Sequence, residues 1–209
     1  DDTLVNARTN TNNSTIKTAI DNWYASNMTS YTKYLSTTAV YCNDRTEQTS
    51  GTYNTGSTRF TYAPFARAYT NYTPTYDCTE TSDAFSVDNT SAKLTYPIAL
   101  MTSDEIMRAG GKNDTILPSP YAWYYLNSAN GSITGLTYWW LLSPNYWSSS
   151  SAGLFVVFGS NYPGRLYNFG ATRAYGVRPA ISLKSCTLYS TGDGSATNPY
   201  TILDTETGC

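Results

Sequence analysis

Residues 138–158 read YWWLLSPNYWSSSSAGLFVVF. Two compact apolar runs, Tyr138–Leu142 and Leu154–Phe158, are separated by a turn-forming serine-rich stretch. Each run is too short for a stable helix and carries the aromatic and branched side chains that suit a pleated surface. On a strand, Trp139 and Trp140 point to opposite faces, so one packs into the core and the other is free to line a groove. Downstream, Gly164–Tyr167 reads as a further short strand. Tyr175–Leu183 alternates, with Val177, Pro179, Ile181 and Leu183 sharing one parity. Gly192 and Gly194, followed by Pro199–Ile202, read as a hairpin-like closing segment.

Upstream of Tyr138 the pattern is different. Asn13 or Ser14 can N-cap a helix whose face carries Ile16, Ile20, Trp23 and Tyr24, at the i, i+4, i+7, i+8 spacing. Asn27 and Thr29 end it, and Tyr31, Tyr34 and Leu35 suggest a second, shorter helix. Thr46–Ser57 reads as a loop, and Thr70–Asp77, which contains Pro74, as extended chain. A strand is predicted over Leu94–Leu100. Thr102-Ser103-Asp104-Glu105 then spells a capping box ahead of Ile106 and Met107, and Gly110-Gly111 stops that helix. The expectation is an α+β domain with two or three early helices and an antiparallel sheet built late in the chain. Residues 1–11 form an N-terminal arm or strand, 12–185 the domain, and 186–209 a strand and turn tail.

Composition narrows the chemistry. The chain has 209 residues, 13% of them charged, against about 25% in typical globular proteins. Its net charge is −2, so there is no basic excess to neutralise phosphates and nucleic acid is not an expected partner. Histidine is absent, which excludes a Ser-His-Asp triad, a Cys-His pair and any His-ligated metal. No apolar run approaches the roughly 20 residues of a membrane span. Hydrophilicity comes instead from Thr, Ser, Asn and 20 tyrosines. Tyrosine offers a large ring with one polar handle, suited to strands and to contact surfaces alike.

Four cysteines, Cys42, Cys78, Cys186 and Cys209, form no C-x-x-C pair. Pairing of sequence neighbours gives Cys42–Cys78 and Cys186–Cys209, one of three possible connectivities. An even count in a chain of low charge favours an oxidising compartment, hence an extracellular or cell-surface location. No signal-peptide pattern is seen at Asp1, and the expectation is either a processed chain or a piece cut from a longer one.

Two stretches carry a resemblance: Tyr138-Trp139-Trp140-Leu141-Leu142-Ser143-Pro144 and Gly176-Val177-Arg178-Pro179-Ala180-Ile181-Ser182-Leu183. Together with Ser14–Tyr24, Cys42-Asn43-Asp44-Arg45 and Leu94–Gly111, they resemble a domain family of uncharacterised function in surface proteins of Gram-positive gut bacteria. The part from Tyr146 to Arg178 is similar to C-type-lectin-like domains of bacterial surface proteins, a family that includes retroelement-diversified members. The resemblance implies a C-type-lectin-like fold, with two early helices, a twisted antiparallel sheet and a ligand surface on the late strands and loops. The Glu-Pro-Asn and Trp-Asn-Asp triplets of calcium-dependent lectins are absent from this chain. The same fold occurs in formylglycine-generating enzymes, but Cys186 and Cys209 are not placed as their redox pair would be. Neither a metal nor another cofactor is expected, and no enzymatic activity.

The segment Asn145–Tyr175 therefore holds the candidate ligand-binding residues: Tyr146, Trp147, Asn161, Tyr162, Arg165, Tyr167, Asn168 and Arg173. Aromatic rings cover apolar or sugar-ring surface, and amides and guanidinium groups fix orientation by directed hydrogen bonds. The competing reading buries Trp147, Phe155, Phe158 and Tyr167 in a strand-rich core. Arg178, flanked by apolar residues, is expected to pair with Asp104 or Glu105. Asp44 and Arg45 are expected to make an ion pair or cap a turn. The expected partner is a protein or glycan on a cell or phage surface, with no membrane span in the chain. The alternative is a structural subunit of an extracellular filament or pilus, self-associating through its surface.

Overall fold

In a computed structural model, residues 3–48, 59–117, 138–158, 162, 164–194 and 198–209 are described. The early helices are α1 (Leu4–Arg8), α2 (Thr15–Asn27) and a 3-10 turn over Thr29–Tyr34. Ser14 caps α2 by accepting from the Lys17 N–H, and the helix ends at Asn27. Its buried side chains are Ile20 and Tyr24, whereas Trp23 of the expected apolar face is exposed. Tyr24 stacks on Tyr96 at 4.7 Å and shares a hydrogen bond with the Thr32 hydroxyl. The first residues form a helix where an arm or strand was expected. Thr3 caps it, and Leu4 and Ala7, three apart, pack on Phe60, Tyr62 and Trp147.

Short strands follow: β1 (Tyr41–Cys42), β2 (Glu47–Gln48), β3 (Arg59–Tyr62), then after α3 (Ala63–Ala66) and a π turn over Arg67–Asn71, β4 (Ala84–Phe85) and β5 (Ala99–Leu100). The strand expected over Leu94–Leu100 is thus reduced to its last two residues. Pro97 supplies no N–H to a ladder, yet Leu94 and Ile98 stay buried. Next comes α4 (Ser103–Arg108), with both halves of the Thr102–Glu105 capping box formed. Gly110, at φ +93°, and Gly111 close it with the paired bonds Gly110 N–H to Met107 O and Gly111 N–H to Ile106 O. This is the Schellman arrangement that the two glycines anticipate.

The later strands are β6 (Lys112–Asn113), β7 (Tyr138–Ser148), β8 (Ser151–Phe158), β9 (Arg165–Gly170), β10 (Gly176–Val177), β11 (Pro179–Ala180), β12 (Tyr189–Thr191) and β13 (Thr201–Ile202). The main sheet runs β2-β3-β7-β8-β9-β6, with β10 alongside the start of β7. Its pairs are antiparallel except β6 with β9 and β10 with β7, so the architecture is α+β with a mixed, mostly antiparallel sheet. β7 and β8 form the long central hairpin that the quoted apolar runs foreshadow.

The sheet buries both faces near its centre. On one face Trp139, Leu141, Phe155, Val157 and Leu166 pack under Ala68, Tyr69 and Ile106 of the π turn and α4. On the other, Trp140, Val156 and Phe158 meet Leu100, Ile16 and a row of half-buried aromatics. Both tryptophans are therefore core, and neither lines a groove. The apolar parity of Tyr175–Leu183 points outward: Val177, Ile181 and Leu183 are exposed, while Arg178 lies over the Trp139 ring at 4.0 Å.

Both neighbour-paired disulfides form, Cys42–Cys78 across a 36-residue separation and Cys186–Cys209 across 23. In the chain-entropy account each contributes about 3.5–4 kcal/mol by restricting the unfolded state. They fit folding in an oxidising compartment. The second disulfide closes the 186–209 tail on itself, and hydrogen bonds fasten that tail to the Thr29–Tyr34 turn, where Thr205 N–H donates to the Tyr34 hydroxyl and Gly208 sits against Lys33. No helix among the described residues is long and apolar enough to cross a membrane.

Candidate functional site

Strand alternation on β9 sorts the candidate residues. Arg165, Tyr167 and Phe169 share one face, and Leu166 and Asn168 the other. The first three join an aromatic cluster assembled from five pieces of chain. Across the strands, Val156 opposes Tyr167 and Leu154 opposes Phe169, so β8 sets the apolar bed. Phe158 meets Tyr138 edge-on at 4.3 Å, Tyr162 at 5.6 Å and Tyr167 at 5.8 Å. Phe169 meets Tyr167 at 5.4 Å and Tyr175 at 5.1 Å. Edge-to-face and tilted pairs of this kind are worth about 0.5–1.5 kcal/mol each beyond their burial.

Two guanidinium groups lie over the rings. Arg165 sits 4.9 Å from the Tyr167 ring centre, 5.0 Å from Phe158 and 5.4 Å from Tyr162. Its Nη2 also donates to Asp114, a residue held at φ +47° after β6. Arg173, exposed in the turn beyond β9, lies 5.1 Å over Phe169. Tyr162 is 40% exposed and Tyr167 half-buried. The result is a half-buried aromatic floor with cations above it, able to cover a ring-shaped or apolar group and bond its polar edge.

Tyr162, Arg165, Tyr167 and Arg173 are therefore brought together, and Tyr146, Trp147 and Asn168 are not. Trp147 is 2% exposed, packed by Phe60, Tyr62, Ala152 and α1, so it belongs to the core. Register slips between Pro144 and Tyr146 set Trp147 opposite Ala152. Asn168 faces the opposite side of the sheet, where its amide donates to the Tyr69 hydroxyl at 2.8 Å. Burial pushes the Tyr69 phenol up to about 12, against the opposing pull of that hydrogen bond. Tyr146 is half-buried with its ring laid across Gly153, its cross-strand partner. Asn161 lies outside the described residues. Tyr138, Tyr175 and Lys112 join the face without having been singled out, and Phe158, named only as a core residue in the competing reading, is buried beneath it; alternation within the apolar runs was the signal for Tyr138 and Phe158.

A second feature is a cleft of about 90 Å³ lined by Asp44, Arg67, Thr75, Tyr76, Asp104 and Glu105, among others. Arg67 holds Asp104 through Nε (2.6 Å) and Nη2 (3.0 Å), and Asp44 through Nη1 (2.8 Å). Asp44 also caps a turn by accepting from the Thr46 N–H, and Arg45 pairs with the buried Asp83. The carboxylates expected for Arg178 are thus engaged elsewhere, Asp104 by Arg67 and Glu105 by Thr102. These groups form a closed ion-pair network that ties β1, the π turn and α4 together. Among the described residues, no three Cys, Asp or Glu side chains converge as a metal would need.

Set against protein-family models, curated proteins and solved structures, the chain matches none.

Proposed function

We propose that this chain is a non-enzymatic, extracellular ligand-binding domain of a bacterial surface protein, with a C-type-lectin-like fold. The aromatic floor of Tyr138, Phe158, Tyr162, Tyr167, Phe169 and Tyr175, overlain by Arg165 and Arg173, carries the reading. Its strand members stand on β7, β8 and β9, with Tyr162, Arg173 and Tyr175 in connecting chain, and all but Tyr138 fall within the Asn145–Tyr175 segment. The two disulfides support an exported protein. The test is binding to arrays of glycans and surface proteins and to whole cells, comparing the native chain with a Tyr162→Ala, Arg173→Ala variant. Both side chains are exposed, so the variant should keep its urea midpoint and lose its target. Unchanged binding to every target would remove the face from the site.

The alternative, a subunit of an extracellular filament or pilus, draws on one observation. The β12–β13 ribbon is two strands wide and exposes Leu188, Tyr189 and Tyr200. Open strand edges with apolar neighbours invite pairing between chains. Electron microscopy of the native source separates the readings, since a binding domain alone forms no regular fibres.

A further inference from the structure

The cations around the aromatic floor point to the chemistry of what it binds. Arg165, Tyr167 and Phe169 alternate along β9, so the row spans about 13 Å at roughly 3.3 Å per residue. A guanidinium lies over each end of it, Arg165 above Tyr167 and Arg173 above Phe169. Lys112 is the register partner of Arg165 on the parallel neighbour β6, so it shares that face of the sheet. Among the described residues no carboxylate pairs with Lys112 or Arg173. Arg165 spends Nη2 on Asp114, while its Nε is buried without a hydrogen-bond partner. Three cations thus face one carboxylate, on a chain whose net charge is −2. The sign of this patch is local and opposes that of the whole molecule.

We propose that this face binds a linear acidic glycan, its carboxylates taken by Lys112, Arg165 and Arg173 and its sugar faces laid on Tyr167, Phe169 and Tyr162. The proposal rests on reading this face as a contact surface, and goes beyond that reading by fixing the ligand's class. Arg173, exposed over Phe169 and unpaired with any described carboxylate, has its N–H groups available for two-point bonding to a carboxylate, while Arg165, with Nη2 on Asp114 and Nε buried, contributes its charge and Nη1. The dimensions favour a saccharide over a protein. A stable protein contact covers about 800 Å² per partner around exposed anchors. Here Tyr162 is the one exposed ring of the cluster, and the other rings are half-buried or buried. A narrow ring-floored strip with charge at its rim suits pyranose rings, whose C–H faces stack while their acid groups reach outward.

The experiment is an array of uronate- and sialate-bearing glycans, each paired with its carboxyl-reduced counterpart and probed with the full chain. Acidic members should bind, and carboxyl reduction should weaken binding at least about tenfold. Arg173→Gln and Lys112→Gln should each weaken it by about three- to tenfold with the urea midpoint unchanged. Reduced glycans that bind as well as the acids, or variants that bind as well as the native chain, would overturn the proposal. Binding only to neutral glycans or to a protein, lost in Tyr162→Ala, would overturn the acidic ligand and leave the contact face standing. If no glycan, protein or cell target binds, both readings fall.

Discussion

Asp104→Ala is the substitution whose cost the structure specifies best. The Asp104 side chain is 4% exposed and accepts two hydrogen bonds from Arg67, at 2.6 and 3.0 Å, and one from the Thr75 N–H at 3.1 Å. Arg67 is itself largely buried. Burial works against its charge, yet the bonds to Asp104 and Asp44 more than offset this and hold its pKa above the ordinary value. Removing one partner of such a pair costs about 3–5 kcal/mol, because the remaining charge is left desolvated. Asp44 still compensates Arg67 in the variant, so the lower part of that range applies, about 3–4 kcal/mol. With a urea slope of about 2 kcal/mol/M, the midpoint should fall by roughly 1.5–2 M. Asp104→Asn keeps an acceptor for Thr75 and should cost less, about 2–3 kcal/mol. The combined Arg67→Met, Asp104→Leu variant removes both charges and should recover at least half of the loss. The measurement is urea unfolding followed by tyrosine and tryptophan fluorescence with disulfides intact. An Asp104→Ala midpoint within about 0.25 M of the native chain would refute the argument. So would a double variant as unstable as the single one.

Two other outcomes follow from single contacts. Tyr69 holds its proton up to about pH 12 when folded and to about 10 when unfolded. The stability this contributes is complete below pH 10 and is lost as pH rises towards 12, on the order of 2–3 kcal/mol in all. Urea midpoints between pH 9 and 12 should fall more gently in Tyr69→Phe, and parallel curves would contradict the assignment. Gly153→Ala would drive a methyl group into the Tyr146 ring, which lies directly against the Gly153 backbone. A loss of about 1–3 kcal/mol is expected, read as a lower Tm with an altered near-ultraviolet tyrosine signal.

The parts of the fold legible in the sequence are those where one local rule acts without competition. The capping box at Thr102–Glu105 and the glycine stop at Gly110-Gly111 formed as written, because helix ends are settled by the hydrogen bonds of a few adjacent residues. The two apolar runs at Tyr138 and Leu154 became the central hairpin for a similar reason: five consecutive apolar residues have to be buried. Reading failed where a tertiary partner decides. Leu94–Leu100 has strand-like residues, but Pro97 and the packing of Leu94 and Ile98 leave only two of them in a ladder. Residues 4–8 are helical because Leu4 and Ala7 find an aromatic cluster far along the chain, which no local pattern announces.

The site shows the same division more sharply. The segment Asn145–Tyr175 spans the end of β7 and all of β8 and β9, but composition treats every aromatic and amide in it alike, and a strand does not. Alternation sends Arg165 and Tyr167 to the open face and Asn168 to Tyr69 on the other. The slips around Pro144 then decide Trp147, since a bulge reassigns every later side chain to a new neighbour. Proline, having no N–H for the ladder, is where such a slip costs least. Register is thus the variable that converts a list of recognition-type residues into a surface. A shift of β7 by one residue would exchange buried and half-buried side chains along its end while leaving composition the same.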